Sequence, residues 1–164
     1  MTAAERVVDR ARARAQAAAW RDAGERVVLA NGVFDLLHVG HARYLAGARS
    51  LGTRLIVGVN GDGSSAAAKG PGRPVVPARD RAALVAALRG VDRVVIFEES
   101  TVDALIEELR PAVHAKGTDY REDNVPERGT MRALGGRTAI TGDPKTHVTR
   151  DLVERVRERG AGGA

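Results

Sequence analysis

Apolar residues along the chain fall into short runs separated by amphipathic stretches, a pattern that predicts strands and helices in alternation. Ala3 to Ala23 has helix-forming composition and an apolar stripe interrupted by Arg6, Arg10 and Arg14, and it ends at Gly24. Trp20 is placed to dock this helix on the sheet. The run Arg26-Val27-Val28-Leu29-Ala30 reads as a buried strand, and Val39 to Leu51, stopped by Gly52, as the next helix. Leu55 to Val59, Arg93 to Phe97, Ala112 to Ala115 and Arg137 to Ile140 read as further strands. Arg79 to Leu88, Thr101 to Leu109 (capped by Ser100) and Asp151 to Arg159 read as helices. Asn60 to Pro77 carries Gly, Ser and Pro and is expected to be a long loop of the functional or mobile kind. The alternation predicts an α/β fold, a doubly wound parallel sheet in three α/β/α layers. It forms a single domain, with a helical extension over 1–24. Ligands of such sheets sit beyond the carboxyl ends of the strands, where the loops after Ala30, Val59 and Ala115 would converge.

Composition narrows the choice of chemistry. The 164 residues are 43% hydrophobic and 29% charged, which is globular, and only 3% aromatic, so Val, Leu, Ile and Ala must build the core. With no cysteine, a disulfide scaffold and a thiolate zinc site are excluded. No apolar run approaches a membrane span, and the first twenty residues lack the uninterrupted core of a secretory signal. The expectation is a soluble cytoplasmic protein. A net charge of +5 admits anionic partners, but the excess arginine is spread along the chain among acidic residues, with no basic block interleaved with aromatics. Nucleic acid is therefore not expected as a partner.

The stretch from Asn31 to His41 carries the most chemistry. It follows a strand and opens a helix, with His38 and His41 three residues apart and Gly40 between them. Gly40 lets a ligand approach the backbone, and a helix N-terminus with two imidazoles suits a phosphate. Spacing alone leaves other readings open: a metal pair, which would need a third protein ligand, or two surface or capping histidines. Lys69 alone reads as a solvated loop residue, and Arg81, among Arg79, Asp80 and Arg89, as part of an exposed ion-paired helix face. Asp35 reads as a cap of the loop before the histidine helix, His114 as a packed strand residue, and Lys116 as a charge at the sheet's carboxyl edge. A Walker loop is not supported around Lys69, which no glycine precedes and no Ser or Thr follows.

The eleven residues Asn31-Gly32-Val33-Phe34-Asp35-Leu36-Leu37-His38-Val39-Gly40-His41 resemble the His-x-Gly-His signature of the nucleotidyltransferase superfamily that includes glycerol-3-phosphate cytidylyltransferases and heptose-1-phosphate adenylyltransferases. The resemblance runs from about Arg26 to Val156. Val59-Asn60-Gly61-Asp62 is similar to the family's Val-Asn-Ser-Asp, and Lys116-Gly117-Thr118-Asp119-Tyr120 to its Lys-Gly-Gly-Asp-Tyr. Lys69, Gly70, Arg73 and Pro74, then Arg81, Gly135-Gly136-Arg137 and Gly142-Asp143-Pro144-Lys145, favour the heptose branch. Two positions depart from the pattern. Gly61 replaces a serine, and His147-Val148-Thr149-Arg150 stands where the family usually has Ser-Thr at a helix entrance.

The resemblance implies a Rossmann-like nucleotidyltransferase domain over 25–164 that transfers AMP from ATP to a sugar 1-phosphate of the heptose type and releases pyrophosphate. It implies catalytic roles for His38, His41, Lys69 and Arg81, the histidines on the α- and β-phosphate oxygens and the two cations on developing charge. Nucleotide binding would fall to Asn31, Gly32, Val33, Phe34, Gly40, Lys116, Gly117, Asp119 and Thr149 beside the histidines, and the acceptor to Asp35, Asn60, Lys69 and Arg73. Mg²⁺ would arrive with the triphosphate and be held by phosphate oxygens and water, with no metal site built by the protein. A homodimer and a separate sugar kinase upstream are also implied. The rivals are a cytidylyltransferase using CTP with another phosphorylated or phosphonate substrate, and a non-catalytic nucleotide-binding relative.

Overall fold

The computed structural model describes residues 1–143 and 153–158. Five strands form one parallel sheet in the order β3-β2-β1-β4-β5: β1 Val27–Gly32, β2 Arg54–Asn60, β3 Arg93–Phe97, β4 Val113–Gly117 and β5 Arg137–Thr141. Each strand is buried on both faces, and the apolar positions divide by parity. Val28, Ala30, Val57 and Val59 pack with Leu45 and Ala48 of α3 (Val39–Ser50) and Ala82, Val85 and Ala86 of α5 (Ala78–Ala87). Val27, Leu29, Ile56, Val95 and Phe97 pack instead with α2 (Arg10–Asp22), α6 (Asp103–Leu109) and Met131 of α7 (Arg128–Ala133). This is the Rossmann-like three-layer architecture expected.

Strand register positions the site. β1 pairs with β2 as far as Gly32–Val59, but with β4 only from Val28–Val113 to Ala30–Ala115. Chain order reverses between these two strands, and beyond Ala30 and Ala115 they part, opening a crevice at the carboxyl edge.

Three elements differ from expectation. The N-terminal helix is two, α1 (Ala3–Arg6) and α2, because Asp9 caps α2 by accepting from Arg12 N at 2.7 Å. The β-branched Val7 and Val8 between them run extended along β3: Val7 bridges Val94, and Val8 N donates to Val94 O at 2.9 Å. Trp20 packs in the second core cluster, with the Arg54 and Arg93 guanidinium carbons 5.3 and 5.5 Å from its ring centre. The expected loop after Asn60 contains a helix, α4 (Asp62–Lys69), which the run Ala66-Ala67-Ala68 favours and Gly70 ends at φ 90°. Helix α7 had no counterpart in the sequence reading. The expected helix Asp151 to Arg159 is described only over 153–158, which is helical. Among the described residues, no helix is long and apolar enough to cross a membrane.

Candidate active site

The loop from β1 to α3 is tightly wound. Phe34 and Leu36, flanking Asp35, both take left-handed backbone (φ 53° and 50°), at a cost of about 1 kcal/mol or more each. Their ties lie in the surrounding groups. Asp35 is 3% exposed; its carboxylate accepts from Val75 N and Val76 N at 3.0 Å and pairs with Arg73 Nη2 at 2.9 Å. The Phe34 ring folds back over Gly32, where a Cβ would lie 3.2 Å from it. It meets His41 edge-on at 5.4 Å and stacks near Tyr44 at 6.3 Å.

That loop delivers the two histidines as reciprocal caps of α3. His38 Nδ1 accepts from Gly40 N at 3.1 Å, and His41 Nδ1 accepts from His38 N at 3.3 Å, with the ring centres 3.9 Å apart. A neutral imidazole has one acceptor and one donor nitrogen. Because both Nδ1 atoms accept, the ring protons are assigned to Nε2. The Gly40 amide, expected to meet a ligand directly, is thus engaged by His38. The helix terminus presents imidazole N–H groups in its place, backed by the helix dipole.

The crevice between β1 and β4 is braced from within. Tyr44 Oη donates to Ala115 O at 2.7 Å and accepts from Asn31 N at 3.3 Å, spanning the two strands where they part. His114 is fully buried, with Nε2 2.9 Å from Asn31 Oδ1, and its Nδ1 has no hydrogen-bond partner among the described residues. An orphaned buried donor costs more than an orphaned acceptor nitrogen, so Nε2 carries the proton and fixes the Asn31 amide. Burial, reinforced by the Lys116 charge, pushes the His114 ring down to about 3 from 6.5. The folded ring stays neutral while the unfolded one takes a proton, so this contribution to stability is intact above about 6.5 and is lost as pH falls towards 3. Unfolding free energy is expected to fall more steeply for the wild type than for His114→Leu between about pH 6 and pH 4, by up to about 1.4 kcal/mol per pH unit. Parallel slopes in denaturant titrations would refute this.

Arg81 is neither an exposed helix-face residue nor a charge at the cleft. Fully buried, it donates from Nε to Val76 O at 2.7 Å, from Nη1 to Asn60 O at 2.8 Å and to Val33 O, and from Nη2 to Asp62 Oδ1 at 2.8 Å. It thereby joins the loops after β1 and β2 to the segment before α5. Asp62 Oδ1 also accepts from Ala78 N at 2.8 Å.

Asn31, Gly32, Val33, Phe34, Asp35, His38, Gly40, His41, Asn60, Lys69, Arg73, Lys116, Gly117 and Asp119 line one cleft of about 960 Å³, whereas Arg81 does not. Lys69 is exposed at the end of α4. Thr149, and with it the departure at Val148, lies outside the described residues. Sequence reasoning missed Glu127, which pairs with Lys116 at 3.4 Å on the cleft wall, and Tyr44. Neither carries a spacing signal; their roles arise from where β4, α7 and α3 meet. Among the described residues, no three His, Asp or Glu side chains gather into a group that could hold a metal ion.

Comparison with known proteins places this geometry in a family. The model of the cytidylyltransferase-like family matches residues 29–155. The Bifunctional protein HldE of Magnetococcus marinus is 47% identical over 152 residues, covering 93% of this chain and 31% of that protein. The Bifunctional protein HldE of Methylobacillus flagellatus is 50% identical over 121 residues, 74% of this chain and 25% of that protein. The chain spans about a third or less of the length of these curated relatives. A crystal structure described as the lipopolysaccharide core biosynthesis protein from Thermoplasma volcanium superposes with a TM-score of 0.64 at 30% identity, over 74% of this chain and 100% of that one. The sheet order, the histidine-capped helix and these matches agree: the chain belongs to the cytidylyltransferase-like family of nucleotidyltransferases.

Proposed function

We propose that this chain transfers AMP from ATP to a sugar 1-phosphate of the heptose type, with release of pyrophosphate. The observation that carries this reading is the pair of Nδ1-anchored imidazoles at the start of α3, in the cleft where β1 and β4 part. A phosphate oxygen of the acceptor attacks the α-phosphorus in line. The bond to the oxygen bridging α- and β-phosphorus breaks, and that oxygen leaves with pyrophosphate. Negative charge builds on the α- and β-phosphate oxygens, where two preorganised Nε2–H donors stabilise it with little reorganisation. Lys69, exposed on the cleft rim, adds a mobile positive charge. Lys116, Gly117 and Asp119 sit on the nucleotide side in this reading, with Thr149 completing the phosphate contacts. Asn60 and the Asp35–Arg73 pair face the acceptor.

Arg81 acts as a positioning residue, holding Val33 O and Asn60 O in register. Mg²⁺ would arrive with the triphosphate and be held by phosphate oxygens and water, since among the described residues the carboxylates lining the cleft do not gather into a group of three that could hold it. When bound it neutralises phosphate charge. The same reading makes the acceptor the product of a sugar kinase and the working form a cytoplasmic homodimer.

The test is pyrophosphate release with ATP or CTP across a panel of sugar 1-phosphates. ATP with a heptose 1-phosphate is expected to give the highest kcat/KM. Turnover with CTP alone would replace the nucleotide assignment. Triphosphate binding without turnover on any acceptor would make the chain a non-catalytic relative.

A further inference from the structure

The cleft wall contributed by β4 and the start of α7 holds a charged pair whose acidic member, Glu127, has no role in the reaction above. Lys116 and Glu127 are 7% and 5% exposed, with Nζ 3.4 Å from Oε2. By strand parity Lys116 shares a face with His114, on the α6–α7 side of the sheet, away from α3. Its Nζ lies 4.6 Å from the centre of the Tyr120 ring. Buried carboxylates in folded proteins collect hydrogen bonds. Glu127 Oε2 is buried and receives none among the described residues, so the ion pair alone compensates it there. Its charge is also felt at the mouth of the crevice, where burial first, and Glu127 next among the raising influences, push the Tyr44 and Tyr120 hydroxyls above their usual range.

We propose that Glu127, held by Lys116, accepts hydrogen bonds from a vicinal diol of a bound ligand. An ionised carboxylate can only accept, and an ammonium can only donate. Side by side they complement groups that do both, as hydroxyls do and an exocyclic amine does not. Two adjacent hydroxyls can address the pair together, one donating to the carboxylate and the other accepting from the ammonium. A phosphate is disfavoured there by its like charge with Glu127. This rests on reading the cleft as a nucleotide and sugar-phosphate site, and both ligands offer such a diol, one on the ribose and one on the acceptor sugar.

The experiment separates the two sources by measuring binding, not turnover. ATP, 2′-deoxy-ATP, 3′-deoxy-ATP and a heptose 1-phosphate are titrated calorimetrically into the wild type and Glu127→Gln. If the ribose is the source, the wild type binds one deoxy analogue about tenfold more weakly than ATP, and Glu127→Gln loses that discrimination. If the sugar is the source, both proteins bind all three nucleotides alike, and Glu127→Gln binds heptose 1-phosphate about tenfold more weakly. Equal affinities of the two proteins for every ligand, or discrimination retained by Glu127→Gln, overturn the proposal. Should Glu127→Gln fail to fold with Lys116 left buried and unpaired, the double variant Lys116→Met with Glu127→Leu removes both charges, and the same comparisons decide. A chain that bound both ligands as expected yet transferred nothing would end the proposed reaction and leave this site standing.

Discussion

A His41→Ala chain is expected to turn over about 10²-fold or more slowly than the wild type while keeping its fold. The size reflects what is removed: a single N–H donor, preset at the place where charge develops. Its preorganisation is visible in the structure. His38 N holds His41 Nδ1 at 3.3 Å, which leaves the ring neither its tautomer nor its rotation to choose when the substrate arrives, and the Phe34 edge supports its flank. The loss to stability is smaller. One capping contact at a half-buried terminus disappears, worth about 1 kcal/mol, and His38 still engages Gly40 N. Pyrophosphate release at saturating ATP, beside circular dichroism of the same preparation, checks both halves. Undiminished turnover would take His41 out of the mechanism.

The largest effect on stability is expected at Arg81. Arg81→Met leaves the carbonyls of Val76, Val33 and Asn60 without their guanidinium donor and Asp62 without its cation. With an orphaned buried acceptor at about 1–3 kcal/mol each, and partial relaxation of the loops, a loss of about 3–5 kcal/mol is expected. Arg81→Lys should recover little of it, because an ammonium is a compact charge and cannot span acceptors on three separate segments. A denaturant midpoint unchanged in Arg81→Met would show that these loops are held by something else.

How far this was legible in the sequence depended on whether an interaction leaves a local trace. β3 spans Arg93–Phe97 as read, since a strand buried on both faces is a continuous apolar run. β4 was read too short because Lys116 and Gly117 look unlike strand interior, although they continue the ladder to β5. The histidine pair was legible because both residues act within one turn of α3. Arg81 was not: its acceptors are mostly main-chain carbonyls, which have no residue type to read, and its neighbours Arg79 and Asp80 are exposed. α4 was hidden by Gly63, Ser64 and Ser65, whose weak helix preference is overcome by Ser65 N bonding Gly61 O at 3.0 Å and Ser65 Oγ bonding Asn60 O. α7 is six residues long and contains Gly129; the burial of Met131 against the second core cluster, a tertiary matter, holds it.

The segment bearing Lys69 is fastened at two piers. Asp62, clasped by Arg81 and Ala78 N, anchors its start, and Arg73, Val75 and Val76, gathered on Asp35, anchor its finish. Only the stretch between is left to span, and its glycines Gly70 and Gly72 stand in open surroundings at positive φ. How far Lys69 stands from either pier is therefore set by the length of that span. Lengthening or shortening it around these glycines would retune the lysine's reach while leaving the sheet and both core layers untouched.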